Sequence, residues 1–164
     1  RPLRASRLWT FDGSAEGFSA QDLRAIPVKP AGLWLKNLGA DPILRSPDGL
    51  DIDGARYGLV IVRLTRVRPG AAWAGELFYT ADRHGEAQNM AARPLAGEDM
   101  GLKETATLVY DMADPRAGDW ATSRINSLRL DTEDAPGGAF ILRQVAVVEN
   151  PDPAGLAARL RRAK

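Results

Sequence analysis

The chain has 164 residues, 45% apolar and 26% charged, with 16 glycines and 11 prolines. It has no cysteine and a single histidine, His84. That excludes disulfides, thiolate chemistry, zinc–cysteine sites and His-pair metal sites, and leaves any Ser-His-Asp triad dependent on His84. The 22 basic and 21 acidic residues sum to +1, but unevenly. Arg1, Arg4, Arg7, Arg159, Arg161, Arg162 and Lys164 stand at the two ends, where no acid occurs. Leu8 to Ala158 therefore holds 15 bases against 21 acids, a net −6. An acidic body without a clustered basic patch speaks against nucleic acid as a partner.

One domain is expected at this length, able to bury roughly 70% of its unfolded surface in a single core. No run of about 18 apolar residues exists to span a membrane. The chain begins at Arg1 with no signal peptide in view, and is read as a module of a larger protein or assembly. The excess of Arg over Lys, 18 to 4, fits a GC-rich genome.

In chain order, residues 1–6 read as a basic arm or linker, and Arg7–Phe11 as a first strand. Asp12-Gly13-Ser14 is a turn signal. Phe18–Val28 is ambiguous, with Leu23 and Ile26 as core anchors and Pro27 and Pro30 excluding a long helix. Gly32–Leu35, Ile43–Arg45 and Leu50–Ile52 are short strands between turn pairs. Tyr57–Val67 is the clearest strand, and it stops at Pro69-Gly70. Its Val60, Val62 and Leu64 should face the core, with Leu59, Ile61, Arg63 and Thr65 opposite. Glu76–Thr80 follows as a strand, then a turn at Asp82–Gly85 and a loop over residues 86–102. Lys103–Tyr110 alternates as a strand. Ile125–Asp131 points Leu128 and Leu130 inward and Arg129 and Asp131 outward. Phe140–Val148 is apolar on both parities, as expected for a central strand covered on both faces. Residues 151–164 form a basic C-terminal helix or linker, with Asp152 as N-cap. Short strands with turn signals and no alternating helices give an all-β sandwich over residues 7–150.

Catalytic signatures are scarce. His84 reads as a surface turn residue, because no serine has a nucleophile context. There is no phosphate loop and no Gly-x-Gly-x-x-Gly. Asp51-x-Asp53-Gly54 lacks the third ligand and spaced Glu of a calcium loop and reads as a turn. A structural calcium held by loop carboxylates such as Asp12 or Asp131 stays open, and no other cofactor is implied. Of the four tryptophans, Trp9, Trp34 and Trp120 are expected in the core. Trp73 lies in a loop, where an exposed ring can stack on a sugar.

From Tyr57 onward the sequence resembles the galactose-binding-like jelly-roll domains, which include many non-catalytic carbohydrate-binding modules. The resemblance rests on Leu50-Asp51-Ile52 with Tyr57–Leu64, on Gly75–Thr80, on Trp120 with Ile125 and Leu128–Asp131, and on Phe140–Val148. Trp9–Asp12 and Asp41-Pro42 also fit. One departure is Leu142-Arg143-Gln144-Val145, where such domains often carry an Asp and an aromatic. The resemblance implies a jelly-roll β-sandwich of two antiparallel sheets with a short C-terminal helix. It places Arg63, Glu76 and Arg129 on one exposed sheet face as a ligand surface, with Trp73 as the stacking platform. The other reading of those charges is an ion network of Arg63 and Arg129 with Glu76 or Asp131. The expected function is glycan or polysaccharide binding without catalysis. A structural or protein-interaction sandwich and a polysaccharide hydrolase or lyase remain as alternatives. A neighbouring domain or subunit is a further expected partner.

Overall fold

The computed structural model describes residues 3–68, 75–95, 101–132, 136–152 and 154–155. Twelve strands lie among them: β1 Ala5–Trp9, β2 Ser19–Gln21, β3 Leu23–Val28, β4 Gly32–Asn37, β5 Ile43–Arg45, β6 Ile52–Asp53, β7 Leu59–Arg68, β8 Leu77–Ala81, β9 Ala91–Ala92, β10 Thr105–Asp111, β11 Arg124–Asp131 and β12 Ala139–Val148. The first sheet runs β10-β7-β12-β4-β3, with β1 also on β12. The second runs β2-β5-β11-β8-β9, with β6 also on β11. Every pairing is antiparallel. The chain passes repeatedly from one sheet to the other, which makes a jelly-roll sandwich.

The core fills from the inward parity of each strand. Leu33, Leu35, Val60, Val62, Leu64, Leu108, Tyr110, Phe140 and Leu142 come from the first sheet. Leu44, Ile52, Leu77, Tyr79, Ile125, Leu128 and Leu130 come from the second. Burying each such side chain contributes about 1.5–3 kcal/mol. Trp120 is fully buried, and its indole N–H donates to the Tyr57 carbonyl at 2.8 Å. Its one polar group is thus satisfied inside the core.

A bulge in β12 sets the register. Leu142 pairs with Leu64 and Gln144 with Arg63, so Arg143 is the extra residue. Strict alternation would send Leu142 and Val145 to opposite faces. The bulge restores Val145 and Val147 to the core beside Phe140 and Leu142. It also leaves Arg143 and Gln144 opposite a single residue, Arg63. The Arg143 guanidinium reaches the start of β4 and donates to the carbonyls of Pro30 at 2.8 Å and Ala31 at 3.3 Å. Gly32 makes room for it: a Cβ there would lie 2.6 Å from Ile141 Cγ2 and 3.1 Å from Arg143 Nη1.

Several expectations shift. β1 starts at Ala5, and Glu149 N–H donates to the Arg4 carbonyl, so residues read as an arm join the sheet. The ambiguous Phe18–Val28 stretch resolves into β2 and β3, separated by Asp22 at φ 49°. Leu23 is buried as expected, but Ile26 is 38% exposed, because β3 turns Leu23 and Ala25 inward and Ile26 outward. The loop over residues 86–102 contains the short strand β9. Of the C-terminal helix only residues 154–155 are described, and they are helical. Asp152 caps them, accepting from Gly155 N–H at 2.9 Å. No helix among the described residues is long and apolar enough to cross a membrane.

Deleting Arg143 removes the extra residue and leaves Leu142 and Val145 two positions apart, so Val145 and Val147 should stay inward and the domain should still unfold cooperatively in a denaturant titration. Arg143→Ala keeps the bulge residue and should cost no more than ~2 kcal/mol. A deletion variant that loses cooperative unfolding where Arg143→Ala keeps it would show that Arg143 is not simply the extra residue of the bulge.

Candidate functional site

Side chains directly opposite on paired strands share a face, and so do residues two apart on one strand. On the outward face of the first sheet this places Ile26, Trp34, Ile141, Thr65 and Thr105 in one row. Trp34 sits between two buried leucines, Leu33 and Leu35, and is therefore outward and half-buried. Its strand β4 is interior to the sheet, so the indole lies within the face and not at its edge. Ile26 and Ile141 flank it on either side.

One row along stand Arg143 with Gln144, Arg63 and Thr107. Arg63 is exposed and has no hydrogen-bond or ion-pair partner among the described residues. The Thr65 and Thr105 hydroxyls pair at 2.6 Å. On the other side of the Trp34 row, Arg24 stands directly opposite Lys36. Nearer the β1 end, Leu8, Ala146, Ile61 and Val109 make an apolar row.

The outward face of the second sheet differs. Arg129 donates to both oxygens of Asp131, at 2.7 and 2.9 Å, and to Glu86 at 2.8 Å. Its guanidinium lies 4.3 Å from the ring centre of Phe78. Glu86 also accepts from Arg45 at 2.7 Å. The bonds from Arg45, and then those from Arg129, hold the Glu86 carboxyl below its usual range despite partial burial. Burial disfavours the Arg129 charge, yet the bonds to Asp131 and Glu86 outweigh it and raise its pKa. Arg129 is closed into an ion network, the second of the two readings of these charges.

The expected ligand residues are therefore not one cluster. Arg63 belongs to the first sheet and Arg129 to the second. Sequence parity assigns a residue to a face of its own strand but does not say which sheet the strand joins. Glu76 leads into β8 and accepts from Arg93 at 3.4 Å. Trp73 lies outside the described residues. Asp12 accepts from Lys29 at 3.2 Å, and both Asp131 oxygens are taken by Arg129. The described residues contain no group of three acidic, His or Cys side chains that could hold a metal. The Asp53 turn is as expected, its carboxylate accepting from Ala55 N–H at 3.1 Å.

His84 lies in the expected turn but is only 17% exposed. Its Nδ1 is 2.7 Å from the Gly85 carbonyl and its Nε2 is 2.7 Å from Asp119 Oδ1. Both partners are acceptors, an arrangement that favours the doubly protonated, cationic form of the ring. Burial opposes that charge, but the bonds to Gly85 and Asp119 outweigh it and raise the pKa. Tyr79 O–H donates to the Ala117 carbonyl at 2.9 Å and contacts Asp119 at 3.2 Å. Burial pushes the phenol pKa up, as does the neighbouring carboxylate. Among the described residues no hydroxyl bonds to His84, so the cluster ties the turn after β8 to the 3-10 segment Trp120–Thr122.

Solved structures share this architecture. The C-terminal family 22 carbohydrate-binding module of Clostridium thermocellum Xyn10B superposes with a TM-score of 0.61 at 11% identity, over 90% of this chain and 95% of that one. The family 11 module of the C. thermocellum cellulase Lic26A-Cel5E gives 0.59 at 8% identity, over 92% and 97%. The fold is that of the jelly-roll carbohydrate-binding modules. A carbohydrate esterase of the Shiga toxin-encoding bacteriophage phi24B also matches, with a TM-score of 0.55 at 12% identity, over 91% of this chain and all of that one. No family model and no curated protein matches the sequence.

Trp34, expected in the core, instead lies on the outward face. Its signal was the Leu33-Trp34-Leu35 alternation, which allows only one parity to face inward.

His84 is the only histidine, so its ring protons titrate as one resolved NMR signal. The midpoint should lie above the free value of ~6.5. The stability it contributes is fully present below the unfolded pKa and is lost as pH rises through the folded pKa. The stability difference between wild type and His84→Gln should accordingly shrink with rising pH. A midpoint at or below ~6.5 would remove the imidazolium.

Proposed function

We propose that the domain binds a polysaccharide chain, without catalysis, along the outward face of the first sheet. The observation that carries this reading is Trp34, a large aromatic side chain in the middle of a sheet face, held between Ile26 and Ile141. The C–H face of a pyranose ring is apolar and packs on such a platform, while ring hydroxyls seek donors and acceptors around it. Gln144, Arg63, Thr107 and the Thr65–Thr105 pair supply them within the adjoining rows. From Trp34 to Arg63 is two strands across and two residues along, roughly 12 Å. That span holds a short run of sugars, as an extended chain requires.

The fold neighbours support this class of ligand. A family 22 xylan-binding domain matches with a TM-score of 0.60 at 12% identity, and a family 6 module in complex with xylose matches at 0.52 and 8%. The second sheet is the weaker candidate, because Arg45 and Arg129 already hold Glu86 and Asp131.

Trp34→Ala should weaken polysaccharide binding in calorimetry at least about tenfold, ~1.4 kcal/mol. Because the indole faces outward, the melting temperature should fall by no more than about 4–8 °C. Unchanged affinity in a folded Trp34→Ala variant would refute this face as the site.

A further inference from the structure

The face around Trp34 is cationic, which is unexpected in a body whose net charge is −6. Arg24, Lys36, Arg63 and Arg143 all project from it, and among the described residues none has a carboxylate partner. Arg143 bonds only to the Pro30 and Ala31 carbonyls and to the Thr65 hydroxyl, so its charge is not neutralised. The outward positions of this sheet carry one acid among the described residues, Asp111, in the far row opposite Leu59. The second sheet follows the opposite rule, matching Arg45 and Arg129 with Glu86 and Asp131. Arg24 and Lys36 stand directly opposite each other on neighbouring strands. Like charges so placed repel, and an anion lying over them removes the repulsion.

The layout is regular. Arg24 and Lys36 form a row on one side of the Trp34 platform, and Arg63 and Arg143 form a row on the other. The two rows are about 13 Å apart along the strands. A chain stacked on Trp34 would therefore meet cations on both flanks. Resting on the polysaccharide reading above, we infer that the bound chain is an anionic polysaccharide, whose carboxylate or sulfate groups neutralise these four side chains. A neutral chain would leave four unpaired cations around its binding platform. Local positive potential on an acidic domain also steers anionic chains to this face and away from the rest of the surface.

The test is calorimetry of the whole chain with polygalacturonate, heparin, neutral xylan and oligothymidylate, each at about 20 mM and about 300 mM NaCl. At low salt, polygalacturonate, heparin or both should bind at least about tenfold tighter than xylan, and the advantage should shrink severalfold at high salt. Binding to polygalacturonate alone assigns a carboxylate, and to heparin alone a sulfate. Arg63→Gln and Lys36→Gln should each weaken the anionic ligand severalfold without lowering the melting temperature. Arg116→Gln, an exposed cation paired with Asp114 elsewhere, should not. Equal binding of xylan without salt dependence, or equal loss in Arg116→Gln, overturns the anionic inference and leaves carbohydrate binding standing. No binding to any of the three glycans overturns the polysaccharide reading itself. Oligothymidylate binding tighter than every glycan overturns both.

Discussion

The extra residue in β12 is the constraint on which both the core and the candidate site depend. β12 lies between β7 and β4 and also carries β1, so its register fixes much of the first sheet. Its apolar residues follow a spacing of two, then three, then two: Phe140, Leu142, Val145, Val147. Only a bulge at Arg143 lets all four face inward. The same irregularity sets two long polar side chains against one on the outer face, next to the Trp34 row. One local departure from alternation thus completes the core and furnishes the surface.

The two outer faces resolve their charges differently. On the second sheet, Arg45, Glu86, Arg129 and Asp131 neutralise one another over Phe78, and the network fixes the loop after β8 against the sheet. Partly buried charges are tolerated there because each has a partner and hydrogen bonds. On the first sheet the cations stand around an aromatic ring with their charge uncompensated. Charge that is balanced within the protein contributes to structure, whereas charge left open favours an outside partner. The −6 body and the basic ends read from composition are joined by a third component, a cationic face within the acidic domain.

Much of this was legible in the sequence. Turn pairs and alternation located most strands, and Val60, Val62 and Leu64 are in the core as read. The pattern around Trp34 was equally legible, since Leu33 and Leu35 leave the ring no inward position. Sheet membership was not legible: Arg63 and Arg129 each alternate outward, but their strands belong to different sheets, and only long-range pairing decides that. The bulge was hidden for a related reason. Leu142-Arg143-Gln144-Val145 reads as a polar interruption until its partner strand shows which residue is unpaired. His84 looked like an exposed turn residue because its acceptor, Asp119, is distant in sequence.

The most direct measurement is an amide and indole NMR titration of the domain with a galacturonate hexasaccharide. The account predicts that the largest shifts fall on the Trp34 indole N–H and on the amides of Arg24, Lys36, Arg63 and Ile141 to Gln144. The shifts should leave Arg45, Phe78 and Arg129 in place. Shifts centred on Arg45, Phe78 and Arg129 with Trp34 unmoved would contradict it, and would move the binding surface to the other sheet.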